Sequence, residues 1–328
     1  MENQQRINIY FLGSGAIGIP ALDTLMLARD IELTGVASQP DKPAGRRREP
    51  AATPLANFAQ QRGLDVAKPE TVNSSAFLDE LRNLKPDIIV VVAFGQILKQ
   101  EILELPPYGC LNVHASLLPK HRGASPITST ILAGDSYSGI TFMRMAAGVD
   151  TGPVYDQFQT KLTNEETTGE LETRLGYLAG GHITDCVRGI HRGKLKPQPQ
   201  DEAAASCTEK LKKKDAEIDW SESAHLIERK IRAFYPHPKA FTRVLSGKKS
   251  VRLQITNACV RHSQPNGAEE PATILKADNQ ELLVQCGQGI LEILQVVPEG
   301  KREMDAVEFL RGTSLQPGSK LGEEGAQT

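Results

Sequence analysis

Cysteine is scarce and unpatterned in this sequence. The five cysteines (Cys110, Cys186, Cys207, Cys259 and Cys286) are odd in number and include no C-x-x-C pair. That excludes a disulfide framework or a cysteine zinc cluster and fits a reducing compartment. Charge of one sign is also missing: 38 Lys and Arg stand against 40 Asp and Glu, a formal net charge of −2. No global basic field announces nucleic acid, although local patches stay open. The longest apolar run, Ile88 to Phe94, is far shorter than the ~20 residues of a membrane helix, so no membrane partner is expected. The opening MENQQRINIYFLG enters a strand-like segment without the hydrophobic core or cleavage site of a signal peptide, and a cytoplasmic location is expected. Scattered histidines (His182, His191, His225, His237) make no ligand set, so no metal is implied. No serine has a nucleophile-elbow context, and Cys110, in an apolar strand, reads as core.

What is present is ordinary globular composition, 39% apolar and 24% charged, which excludes a disordered chain, a collagen-like repeat and a coiled coil. At ~100–200 residues per domain, 328 residues suggest two domains. Strand-like runs (Ile7–Leu12, Leu33–Ala37, Asp87–Ala93, Leu111–His114, Gly139–Met145) alternate with helix-like ones (Ala16–Ala28, Thr53–Gln61, Ser74–Leu84). The near-continuous β-branched run IIVVVAF suits a central parallel strand buried on both faces. The pattern predicts a doubly wound α/β domain over residues 1–193, closed by a helix near Gly169–Ile190. Two prolines and two glutamines without apolar periodicity mark 194–206 as a linker. Beyond it, a helix around Ser221–Ala233 precedes short strand candidates punctuated by Gly and Asn, which predict a small OB-like β-barrel over 207–320. Residues 321–328 read as a tail, with fraying expected after Gly318.

Four segments carry chemistry. Gly13-Ser14-Gly15-Ala16-Ile17-Gly18 fits G-x-G-x-x-G between a strand and a helix, and an NAD(P)-dependent oxidoreductase is the alternative it would support. That reading needs an acidic residue ending the second strand. Here the strand ends Val36-Ala37-Ser38-Gln39-Pro40, with no carboxylate before Asp41, which favours a tight turn for packing. The loop QPDKPAGRRR gathers Lys42, Arg46, Arg47 and Arg48 after a parallel strand, where they could reach phosphates or remain solvated. In the strand Leu111–His114, side-chain alternation puts Asn112 and His114 on one face. An amide donor beside an imidazole can polarise a carbonyl and move a proton; the plain alternative is a capping Asn and a structural His. Finally, Gly148-Val149-Asp150-Thr151-Gly152 suits a tight turn projecting Asp150 inward, able to pair with His114.

Taken together, NVHASLLPKHRGASPI, the downstream GVDTG and the N-terminal strand–turn–helix resemble the folate-dependent formyltransferases. The resemblance implies a Rossmann-like domain that transfers the formyl group of 10-formyltetrahydrofolate to an amine. It implies catalytic roles for Asn112, His114 and Asp150, and folate binding by Ser116, Leu117, Leu118 and Pro119, with the pterin entering near Val91–Leu98. Three further segments, the arginine loop, EKLKKKDAEIDW and IRAFYPHPKAFT, narrow the resemblance to the branch that formylates initiator methionyl-tRNA. That branch implies tRNA contacts from Lys42 and Arg46–Arg48 and from Lys212, Lys213 and Lys214, on a monomer. A formyltransferase acting on a small amine would share the catalytic residues without needing the arginine loop or the C-terminal domain. The chain departs from the family at Gly-Ser-Gly in the first turn, at Lys120 and at Thr128.

Overall fold

Strand β1 (Ile7–Gly13) starts a chain that alternates strand and helix through its first two hundred residues. A computed structural model of the protein describes residues 6–44, 49–246, 249–261, 269–313 and 315–322. In chain order follow α1 (Ile19–Leu27), β2 (Ile31–Ala37), β3 (Lys42–Ala44), β4 (Glu49–Ala51), α2 (Pro54–Gln61), β5 (Val66–Ala67), α3 (Ser75–Leu84), β6 (Ile88–Val92) and α4 (Gln100–Leu103). Then come β7 (Cys110–His114), β8 (Arg122–Gly123), α5 (Pro126–Ala133), β9 (Tyr137–Arg144), β10 (Val154–Lys161), α6 (Thr168–His191) and β11 (Cys207–Thr208). The chain divides into two compact units, the first holding residues 1–126, 137–161 and 171–209 and the second holding 127–136, 162–170 and 210–328.

The first unit is built on a seven-stranded sheet in the order β10-β9-β7-β6-β1-β2-β5. From β7 to β5 the strands are parallel, and β9 and β10 run antiparallel at one edge. All five β6 residues are buried, each Val or Ile contributing about 1.5–3 kcal/mol by leaving water. Helices begin where capping dictates: the Thr53 hydroxyl accepts from Ala56 N, with Pro54 next to it, and the Ser74 hydroxyl accepts from Phe77 N. In α6 the buried positions Leu171, Leu175, Ala179, Ile183 and Val187 recur every fourth residue, forming one apolar stripe along the helix. The helix expected from Ala16 starts instead as a 3-10 turn, and α1 begins only at Ile19, with Pro20 in its first turn. Sequence patterning gave no sign of β10 because its residues alternate only between half-buried and exposed, as suits an edge strand.

The second unit adds α7 (Ala224–Ala233), β12 (Phe241–Ser246), β13 (Lys249–Arg261), β14 (Ile274–Ala277), β15 (Leu282–Gln285), β16 (Ile290–Pro298), β17 (Met304–Asp305) and α8 (Ala306–Leu310). Its strands form a curled antiparallel sheet of the OB-like type, in the order β12-β13-β16-β15-β14 with β17 also on β16. Register shifts in β13 between Ile255 and Ala258 bend this long strand so that it can serve a curled sheet. Fraying does not begin at Gly318. Ile274 N donates to Ser319 O and Leu321 N to Ala272 O, and Leu321 is buried, so the chain stays tied down through an apolar anchor. Among the described residues no helix is long and apolar enough to cross a membrane.

Candidate active site

Strand β7 carries Asn112 and His114 on one face near its C-terminal end, the end at which open α/β sheets bind ligands. Both edges of β7 are hydrogen-bonded, with Val91 of β6 opposite Asn112 and Thr141 of β9 opposite His114, so the two side chains stand on fixed backbone. Asn112 is half-buried and His114 is buried. Asp150 arrives from the turn after β9, its backbone in the left-handed region at φ 52°. Asn112 Nδ2 donates to Asp150 Oδ1 at 3.3 Å, and His114 Nδ1 lies 3.5 Å from Asp150 Oδ2. The three residues singled out in the sequence therefore converge.

His114 Nε2 lies 3.0 Å from the His121 carbonyl oxygen. A carbonyl only accepts, which assigns a proton to Nε2 and leaves Nδ1 as the acceptor facing Asp150 when the ring is neutral. Burial pushes the His114 pKa below the ordinary 6.5, outweighing the nearby Asp150 charge that pulls it up. The resting ring is thus neutral at pH 7. A proton delivered to the site can be shared between Nδ1 and the Asp150 carboxylate.

The Ser116–Pro119 stretch follows β7 directly and is braced from β9 and β10. Thr141 Oγ1 donates to Ser116 O at 2.6 Å and accepts from Leu118 N at 3.1 Å. Gln157 Nε2 donates to Leu118 O at 2.7 Å and to Thr141 Oγ1 at 2.9 Å. Ser116 spends its hydroxyl on Lys120 O, and both Ser116 and Leu118 are buried, whereas Leu117 and Pro119 are half-buried. The glycine-rich turn serves packing: a Cβ on Gly13 would lie 2.7 Å from the Phe11 ring and 2.8 Å from Leu55 Cδ1. Lys42 is exposed in β3, and Lys212, Lys213 and Lys214 are exposed in the second unit. Arg46, Arg47 and Arg48 lie outside the described residues.

Residues 8–184 match the formyl transferase family, and residues 210–314 match the formyl transferase C-terminal domain. The methionyl-tRNA formyltransferase of Magnetococcus marinus is 39% identical over 315 residues, covering 96% of this chain and 98% of that protein. That of Pseudoalteromonas translucida is 39% identical over 321 residues, covering 97% and 98%. The chain belongs to the methionyl-tRNA formyltransferase family. Among solved structures, HypX from Aquifex aeolicus in complex with tetrahydrofolic acid aligns with a TM-score of 0.61 at 16% identity over 94% of this chain. The chain spans 47% of that protein, and the likeness is one of fold.

Around the three converging residues of this family member lie others that sequence patterns did not reveal. Gly123 N donates to Asp150 Oδ2 at 2.8 Å. Gln200 Nε2 donates to the carbonyls of Asp150 and Gly152 at 2.8 and 2.7 Å. Buried Arg122 binds Gln200 and Glu202. The run expected to be a plain linker is thus hydrogen-bonded to the first unit through Gln198, Gln200, Glu202 and Ser206. Its signal was faint: polar residues between prolines look the same whether they face water or a buried arginine.

Proposed function

We propose that the chain transfers the formyl group of 10-formyltetrahydrofolate to the α-amine of initiator methionyl-tRNA. The observation that carries this reading is the convergence of Asn112, His114 and Asp150 at the C-terminal end of β7 in a chain with full-length similarity to methionyl-tRNA formyltransferases. The folate, when bound, supplies the formyl carbon and leaves as tetrahydrofolate. Asn112 has a second amide N–H beyond the one given to Asp150, and it donates this to the formyl oxygen as negative charge builds there. The neutral His114 and Asp150 take the proton that the attacking amine loses and return it toward the departing folate nitrogen. No enzyme nucleophile is needed, because the amine belongs to the substrate and positioning supplies much of the rate.

Leu117 and Pro119, with the segment Val91–Leu98, form the folate side; the Ile97 side chain there is 81% exposed, apolar surface suited to a ring system. Residues 1–193 carry the chemistry and 207–320 hold the tRNA, with Lys42, Arg46–Arg48 and Lys212–Lys214 contacting phosphates. Both sets lie on one chain, which supports action as a monomer, and five cysteines without a pairing pattern support a cytoplasmic location. The test is formylation of charged initiator tRNA with 10-formyltetrahydrofolate, beside binding titrations with a folate analogue and with NADPH. Formylated product and folate binding are expected; tight NADPH binding without either would overturn the reading.

A further inference from the structure

The catalytic aspartate is held from a part of the chain that neither family match covers, since the two matches end at residue 184 and begin at 210. Asp150 sits in a turn at φ 52°, in a conformation that non-glycine residues keep only when their surroundings enforce it. Two backbone carbonyls of this turn, those of Asp150 and Gly152, accept from the one amide nitrogen of Gln200. The other end of that amide is fixed as well. Gln200 Oε1 accepts from Arg122 Nε at 3.1 Å and from Nη2 at 2.8 Å, so the nitrogen has to face the turn. Arg122 is itself buried and is clamped by Glu202, with Nη1 to Oε2 at 2.9 Å and Nη2 to Oε1 at 2.8 Å. Immediately after Arg122, Gly123 N donates to the Asp150 carboxylate.

We infer that Gln200 is a positioning residue for catalysis, a clasp pinned by Arg122 and Glu202 that holds the Asp150 turn where its carboxylate meets Asn112 and His114. The inference rests on the formyl-transfer reading above. Gln200 touches no reacting atom; it acts by fixing the carbonyls on which the Asp150 turn is hung. A displacement of ~1 Å at a catalytic group costs about a hundredfold in rate.

The experiment compares wild type with Gln200→Glu and Gln200→Ala in the formylation assay, with thermal unfolding alongside. Glutamate keeps the size of the side chain and strengthens the pairing with Arg122, but it cannot donate to the two carbonyls. The expected result is a kcat lowered at least tenfold in Gln200→Glu, with KM for the formyl donor within twofold of wild type and a single cooperative thermal transition showing that the variant is folded. Gln200→Ala should lose kcat at least as strongly. A correctly folded Gln200→Glu protein with kcat within twofold of wild type would overturn the clasp while leaving the function standing. An inactive wild-type chain would overturn the function and the clasp together.

Discussion

Gly123 meets Asp150 through its backbone alone, its N–H donating to Oδ2 at 2.8 Å. Only glycine fits there: φ is 112°, and an added Cβ would lie 2.4 Å from the Thr208 carbonyl oxygen across the β8–β11 pair. Gly123→Ala must therefore move the strand that supplies the donor. Backbone strain of this kind costs about 1–3 kcal/mol. The variant should be less stable by that amount in urea unfolding and should also lose kcat. Wild-type stability together with wild-type kcat would show that the β8–β11 pair does not set the Asp150 geometry.

On the proposed role of Asn112 as oxyanion donor, its loss should appear in turnover rather than in binding. Asn112→Ala is expected to lower kcat by about 10²–10³ with little change in KM, the usual result of removing one such donor. Asp150→Asn keeps the hydrogen bond from Gly123 N but removes a proton acceptor, and a loss of about 10²–10⁴ follows if proton transfer is shared with His114. Steady-state kinetics on both variants decide the point, and near-wild-type turnover in either would remove that residue from the chemistry.

Burial of His114 makes stability depend on pH. The unfolded ring takes a proton at the ordinary 6.5, whereas the folded ring, its pKa lowered by burial, takes one only at lower pH. Between those values the unfolded chain binds more protons. Stability therefore falls as pH drops below 6.5 and stops falling once the folded ring also protonates. Urea midpoints measured across this range should decline more steeply for wild type than for His114→Gln. Parallel curves for the two proteins would mean that His114 is not held neutral.

Cys110 is the strongest rival for a covalent step, since it begins the strand that carries Asn112 and His114. Its thiol is buried, directed at Ile102 O at 3.6 Å, and its pKa is pushed up to about 12 by desolvation. A thiol in that state is inert. Cys110→Ala should cost about 1 kcal/mol of stability, the ordinary size for a core substitution, with kcat unchanged. A folded but inactive variant would bring the cysteine into the mechanism.

Why the strand carrying Asn112 and His114 was legible and its supports were not has a physical explanation. Strand alternation, a strict two-residue period, put Asn112 and His114 on one face, and bracketing glycines put Asp150 in a turn; the resemblance to the formyltransferases is what singled the three out. Gln200 and Glu202 lie some fifty residues beyond Asp150, in a polar run whose half-buried Gln200 and exposed Glu202 both bind the buried guanidinium of Arg122. Nothing local distinguishes such a run from one that faces only water. The edge strand β10 escaped for a related reason: with one side half-buried and the other exposed, Val154–Lys161 has no apolar face to read. Long-range hydrogen bonds leave no periodicity.

Binding of tRNA by a chain of net charge −2 must come from local patches. Residues 207–320 hold 18 Lys and Arg against 15 Asp and Glu, while 1–206 hold 20 against 23, an asymmetry too mild to attract a polyanion by itself. The candidates are Arg46–Arg48 and the exposed Lys212, Lys213 and Lys214. Each phosphate contact releases condensed counterions, so affinity should fall steeply with salt, and each contact removed should flatten that slope by ~0.7–0.9. Alanine at Arg46, Arg47 and Arg48 together should weaken tRNA binding and flatten the slope while leaving folate affinity unchanged. The triple lysine variant should do the same through the second unit. If one cluster changes affinity and slope and the other changes neither, the silent cluster is ordinary solvated charge. If neither variant alters the salt dependence, the tRNA is held by groups other than these six cations.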